Sequence, residues 1–204
     1  EMTSSLVGSE MCIRDSPLMA WALEHDIVVL HTNDIHCGIN DNIGFAGLAQ
    51  IKKDALARTP NVALVDAGDA IQGAPIGKLS RGLAVVDIMN YLGYDFCIPG
   101  NHEFDYGMDR FMELVPLQRA GYYCANFVYA GNNKQVLPGY KIMQYEDTKV
   151  AFVGASTPES LTTSTPTFFQ NEKGKYIYSF CEDKTGNKPV SYTHLRAHET
   201  RRHL

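Results

Sequence analysis

Three short clusters of chemically capable side chains punctuate this chain. Asp34 and His36 stand two residues apart in Thr32-Asn33-Asp34-Ile35-His36. Asp69 sits between glycines in Gly68-Asp69-Ala70-Ile71-Gln72-Gly73. Asn101, His102 and Asp105 share the loop Gly100-Asn101-His102-Glu103-Phe104-Asp105-Tyr106-Gly107. Carboxylate, imidazole and amide oxygen are the donors that divalent cations take. A carboxylate can also bridge two cations through its two oxygens. In extended backbone residues 34 and 36 share a face with about 6.6 Å between them, and a turn in the segment is expected to bring both donors to one ion. Taken singly, each cluster has an ordinary explanation. Asp34 and His36 fit a solvated loop, Asp69 a turn or helix cap, and His102 a histidine bonded to backbone.

What makes the three clusters more than ordinary is what precedes them. Residues 26–31, 62–65 and 96–99 are short apolar runs of strand length, and each cluster follows one of them directly. Helical spacing fills the gaps. Residues 44–58 place Phe45, Leu48, Ile51, Ala55 and Leu56 inward and Lys52, Lys53 and Asp54 outward. Residues 83–92 form a second helix closed by Gly93. Residues 108–119 form a third, with Phe111, Leu114, Val115 and Leu117 inward, which Pro116 must distort or end early. Continuous apolar strands alternating with helices predict a parallel sheet covered on both faces. Sites in such sheets lie beyond the carboxyl ends of the strands. Parallel strands point those ends the same way, so clusters far apart in sequence converge.

Further along, residues 122–127 are expected to form a strand and Asn132-Asn133 a turn. Residues 140–145 and 149–154 read as a hairpin, residues 156–166 as a Ser/Thr/Pro-rich loop, and residues 176–181 as a last strand. The fold class is α/β, a mostly parallel sheet flanked by helices with β-hairpin additions. No internal repeat or linker divides it, so one incomplete domain is expected.

Composition sets outer bounds. The 204 residues are 45% hydrophobic and 20% charged, enough for one domain with a sizeable core. The net charge of -5 argues against a groove that neutralises many nucleic-acid phosphates, but not against a small phosphorylated substrate. No apolar run approaches the length of about 18 residues that suggests a transmembrane helix. Cys12, Cys37, Cys97, Cys124 and Cys181 are scattered. Cys97 and Cys124 lie in apolar runs and are expected to be small buried hydrophobes. Cys37 could serve as a soft ligand, though Asp and His are the donors favoured around it.

The two ends break the pattern. Residues 1–16 and 190–204 carry no helix or strand period and resemble translated sequencing-adaptor DNA, so both are set aside as artefactual tails and residues 17–189 are taken as the domain. Arg14, Arg196, Arg201 and Arg202 there balance Glu1, Glu10, Asp15 and Glu199, which leaves the charge argument intact. His194 and His198, at i,i+4 spacing, are set aside with them. Ala20-Trp21-Ala22 ends an apolar lead-in and matches the tail of a secretory signal, so an exported, periplasmic or cell-surface protein is expected.

The combination D-x-H, G-D and G-N-H-E resembles the calcineurin-like metallophosphoesterases. The longer strings LHTNDIH, DAGDAIQG and PGNHEFDYG are closer to the 5'-nucleotidase family within them, over roughly residues 26–180. The resemblance implies two divalent cations, zinc, manganese or similar, which activate water and neutralise phosphate oxygens. It implies Asp34 and His36 as ligands of the first, Asp69 as the bridging carboxylate and Asn101 as a ligand of the second. It implies His102 as the catalytic histidine and Asp105 as its partner. The implied reaction is hydrolysis of a nucleoside 5'-monophosphate to nucleoside and phosphate. Related substrates are 2',3'-cyclic nucleotides and UDP-sugars; a nucleic-acid phosphodiesterase is disfavoured by the charge and the EFDYG extension. The family's further ligands, one histidine and a G-H-x-H pair, do not occur before residue 190. Its C-terminal substrate-binding domain is also expected to be missing. The chain alone is therefore expected to hydrolyse AMP very slowly or not at all, or to be a non-catalytic fragment with weak metal binding.

Overall fold

The computed structural model describes residues 25–181. The two expected tails, the signal-like Ala20-Trp21-Ala22 and the histidines at 194 and 198 lie outside the described residues.

A three-stranded parallel sheet organises the fold. β1 (Val28–Thr32), β2 (Val62–Asp66) and β3 (Phe96–Cys97) pair in that order, with β2 central. Thr32 pairs with Asp66 and Asp66 with Cys97, so the three strands end level. α1 (Gly44–Leu56) connects β1 to β2; α2 (Pro75–Ser80) and α3 (Leu83–Leu92) connect β2 to β3. β-branched and aliphatic residues suit strands covered on both faces, and Ala63 and Leu64 are fully buried. Gly93, at φ 69°, closes α3 as expected.

α1 differs from the expected face. Phe45, Leu48 and Ala55 are buried, but Ile51 and Leu56 are 40% and 48% exposed. The inward position between Leu48 and Ala55 belongs to Lys52, half-buried rather than outward. Its ammonium donates to the carbonyls of Leu92 (3.0 Å) and Gly93 (2.6 Å) at the end of α3. A cation there complements the negative end of that helix and satisfies carbonyls that no turn can. Charge overrode the apolar period.

α4 (Met108–Leu114) stops early and passes into a 3₁₀ turn, Val115–Leu117, at Pro116. Leu117 is exposed rather than inward. Residues 122–127 do not form the expected strand. Tyr122 makes one parallel bridge to Cys97, after which the backbone turns away to bond Pro138 and Gly154. β4 (Phe127–Tyr129) then pairs antiparallel with β7 (Tyr178–Phe180). β5 (Tyr140–Tyr145) and β6 (Thr148–Val153) form the expected hairpin. The segment expected as a loop holds a four-residue helix, α5 (Ser160–Thr163), and a 3₁₀ turn from Pro166. α2 has no sequence expectation behind it; Pro75 at its start fits a first-turn position, where the missing N–H costs nothing.

One hydrophobic cluster joins these parts. At its centre Phe104, fully buried, packs edge-on to Phe111 (4.9 Å) and Phe169 (5.1 Å) and tilted against Phe127 (5.5 Å). Cys97 and Cys124 are fully buried, as expected of small apolar side chains, and Cys37 is buried as well.

Candidate active site

The loops following β1, β2 and β3 meet at one end of the sheet. Asp34 N donates to the Gly68 carbonyl (3.0 Å), His36 N to Asp69 (2.9 Å) and Cys37 N to Ala70 (2.9 Å). The first two loops thus keep bonding to each other beyond their strands, but in a turned backbone. Asp34, His36, Cys37 and Asp69 all have φ between 47° and 60°. Left-handed backbone costs a non-glycine residue about 1 kcal/mol or more, and such strain gathers at functional sites. The expected turn of the segment around Asp34 and His36 is therefore present.

Glycines let the second and third loops touch. A Cβ on Gly68 would lie 2.5 Å from Gly100 N, and one on Gly100 would lie 2.3 Å from Asp69 Oδ1.

The convergence brings His36, Asp69 and His102 together. Each offers one donor atom, and the three atoms lie within 4.8 Å of one another. The two imidazoles meet edge to face, 5.0 Å between ring centres. His36 Nδ1 donates to the Gln72 carbonyl (3.1 Å). His102 Nδ1 donates to Asp105 Oδ2 (2.6 Å). The His36 ring is thus held in the tautomer that leaves Nε2 as its lone-pair nitrogen, and the His102 ring is oriented through its Nδ1 by Asp105. Asp105 is itself held: its Oδ1 accepts from Ser164 Oγ (3.1 Å), which arrives from just after α5. Asp34 is exposed, bonded by Asn33 (2.6 Å), and stands outside the three-residue group. Asn101 is half-buried beside His102, and its side chain does not cap the 3₁₀ turn that follows.

Electrostatics follow from burial. Asp69 is pushed above the usual carboxylate range, chiefly by burial; the His102 N–H and the two imidazoles work against that shift. For His102 burial lowers the value, but the Asp105 hydrogen bond and neighbouring carboxylates leave it net raised. Nitrogen and oxygen donors at this separation fit a divalent cation of the zinc or manganese kind.

A cavity of about 540 Å³ opens beside the group, lined by Asp34, His36, Asp41, Asn42, Phe45 and Leu48 among others. Its size is that of a small-molecule site.

Two residues of the site carried no role in the sequence reading. Glu103 is buried and bonds to backbone N–H groups of both facing loops. Its only signal was its place in G-N-H-E, directly before the apolar Phe104. Asp66 is buried at the end of β2, accepting from Thr32 Oγ1 (2.7 Å) and Gly68 N (3.0 Å). Burial, then the charge of Glu103, raises it well above the usual carboxylate range.

An α/β fold with its polar loops gathered at the strand ends, and a His/Asp cluster among them, makes a candidate metal centre. The chain belongs to the calcineurin-like phosphoesterase family, whose model matches residues 27–199; that family uses divalent metals. Within it the chain is similar to 5'-nucleotidases. It is 30% identical to the snake venom 5'-nucleotidase of Gloydius brevicauda, over 78% of this chain and 33% of that one. It is 31% identical to the 5'-nucleotidase of Rattus norvegicus, over 74% of this chain and 29% of that one. A solved 5'-nucleotidase precursor from Thermus thermophilus shares the fold at a TM-score of 0.66, with 24% identity over 84% of this chain and 35% of that one. The chain thus spans about a third of the length of the curated relatives it matches.

Proposed function

We propose that this chain carries the metal-binding part of a nucleotide phosphomonoesterase, hydrolysing a nucleoside 5'-monophosphate to nucleoside and phosphate. The observation that carries the reading is the His36/Asp69/His102 group, set on strained loops at the ends of three parallel strands. Similarity to 5'-nucleotidases supports the nucleotide as substrate.

His36, Asp69, Asp34 and Asn101 are the residues that would hold two divalent cations, zinc, manganese or similar, with Asp69 as their shared ligand. Such cations, when bound, supply charge neutralisation and activation of water. His102, oriented by Asp105, is the proposed donor to the phosphoryl oxygens or leaving oxygen as negative charge develops there. Ser164 fixes Asp105 from the other side. Asp34 also lines the cavity, where the nucleotide is proposed to enter.

Two further proposals accompany this one. Turnover by this chain is impaired, because the four proposed ligands His36, Asp69, Asp34 and Asn101 are fewer than two cations require. The protein is exported, in keeping with similarity to a venom enzyme and the signal-like residues before the fold; among the described residues no helix is long and apolar enough to cross a membrane.

The test is phosphate release from AMP by the 204-residue chain. Any release is expected to require added Mn²⁺, to stop with EDTA and to vanish in His102→Ala. Release persisting in EDTA contradicts the cation-dependent reading. Rapid turnover contradicts the impairment.

A further inference from the structure

Glu103 lies outside the proposed ligand set, yet no side chain in the site is more heavily engaged. It is 1% exposed. Its Oε2 accepts from Asp69 N (2.7 Å) and Gly100 N (2.6 Å). Its Oε1 accepts from Ala70 N (2.8 Å) and, more weakly, Ile71 N (3.4 Å). Three of these donors belong to the loop after β2 and one to the loop after β3. The lock also runs the other way: Asp69 Oδ1 accepts from His102 N (2.7 Å). Each loop therefore sends a carboxylate into the backbone of the other.

Such an arrangement is specific to a carboxylate. Four N–H groups converge on two oxygens, and all four arrive as donors. A carboxylate accepts on both oxygens, whereas an amide would turn an NH₂ toward two of them. Buried N–H groups left without acceptors are costly, so the loops would have to part to reach water. Parting them would separate Asp69 from His102.

From this geometry we infer that Glu103 is a positioning residue: its carboxylate locks the loops after β2 and β3 so that Asp69 is held as a cation ligand with His102 beside it. The inference rests on the proposed cation site, but the lock itself is readable without any cation. Glu103 touches no ligand atom of the group; it acts through the backbone of Asp69.

The test uses the 204-residue chain with Glu103→Gln and Glu103→Asp. Gln keeps the reach and loses the charge; Asp keeps the charge and loses the reach. In the metal-free protein, amide hydrogen exchange at Asp69, Ala70 and Gly100 is expected to speed up about tenfold or more in both variants, a loss of local protection of the kind described for sub-global opening. Protection in the β5–β6 hairpin is expected to stay unchanged. Mn²⁺ affinity, read by water-proton relaxation, is expected to fall about ten- to a hundredfold in both, the range for residues that orient metal ligands.

Each departure has a distinct meaning. Unchanged exchange at Asp69 and Ala70 in a folded variant overturns the lock. Full affinity in Glu103→Asp alone shows that Glu103 acts by its charge, and overturns positioning. Uniformly faster exchange throughout the chain, with unchanged affinity, makes Glu103 a general structural residue and also overturns it. If the parent chain binds no Mn²⁺ while exchange changes as expected, the cation site fails and the lock survives. Should Glu103→Gln not fold, Glu103→Asp carries the same two readouts.

Discussion

The parallel sheet and the hairpin β5–β6 solve the same backbone problem with opposite consequences. Both bury one set of side chains and pair their N–H groups. In the sheet, the strands end level and hand over to loops with left-handed residues, buried carboxylates and glycines too crowded for a Cβ. In the hairpin, alternation is regular and the outward face carries Tyr140, Ile142 and Val153, each more than half exposed. One region departs from low-energy local geometry; the other hardly does. Strain and buried charge are retained where chemistry requires groups to be close, and they need rigid elements around them.

The loops at the sheet's end are tied to β4 and the turn around Phe169 through aromatic packing, and the largest expected effect comes from cutting that tie. Phe104 stands one residue from the Glu103 carboxylate and packs against Phe127 of β4 and Phe169. Phe104→Ala should cost about 3–5 kcal/mol, as for buried aromatics elsewhere, measured by urea unfolding. A loss of about 1 kcal/mol, within the ordinary run of point mutations, would mean that the halves are held by other contacts.

A paired glycine substitution sharpens the contrast. Gly100→Ala forces a methyl into Asp69 and should cost about 1–3 kcal/mol through overpacking, with weaker Mn²⁺ binding. Gly131→Ala, with nothing within 4 Å of the added methyl, should change stability by about 0.5 kcal/mol or less. Equal effects at both positions would remove the distinction between crowded and open loops.

A smaller effect follows from Asp66. Thr32, Gly68 N and, through Thr32, Tyr94 surround it by hydrogen bonding, and Glu103 and Asp69 act on it by charge. Its folded value is raised, so between the ordinary carboxylate value and the folded one the native state holds a proton that the unfolded chain has released. Bound protons in excess on the native side make stability fall as pH rises through that window. The slope is at most about 1.4 kcal/mol per pH unit for one proton. Asp66→Asn in the metal-free chain should flatten it, as followed by urea titrations across acidic to neutral pH. A slope unchanged in Asp66→Asn would assign the proton elsewhere.

Much of this was legible before any coordinates. Strand-then-cluster order placed three donor sets at one end of a parallel sheet, and the structure brings His36, Asp69 and His102 together there. The turned backbone expected around Asp34 and His36 is present at both. What escaped notice were residues whose role depends on another loop's backbone. Glu103 reads as a polar turn residue until the N–H groups of residues 69–71 close around it. Ser164, in a Ser/Thr-rich stretch, has no local signal for its bond to Asp105 some sixty residues away. Lys52 was placed outward because a charge on a helix usually is; its partner carbonyls belong to α3. Sequence period sees side chains against water, not against distant backbone.

The central claim is that Asp69, with His36, would hold a divalent cation beside His102. Electron paramagnetic resonance of Mn²⁺ titrated into the 204-residue chain tests it directly, because bound Mn²⁺ loses the signal of the free ion. The account predicts saturable loss of free signal in the parent chain and affinity at least about tenfold weaker in Asp69→Asn, as expected when a charged donor becomes neutral. Equal Mn²⁺ binding by the parent chain and Asp69→Asn, both folded, would contradict it.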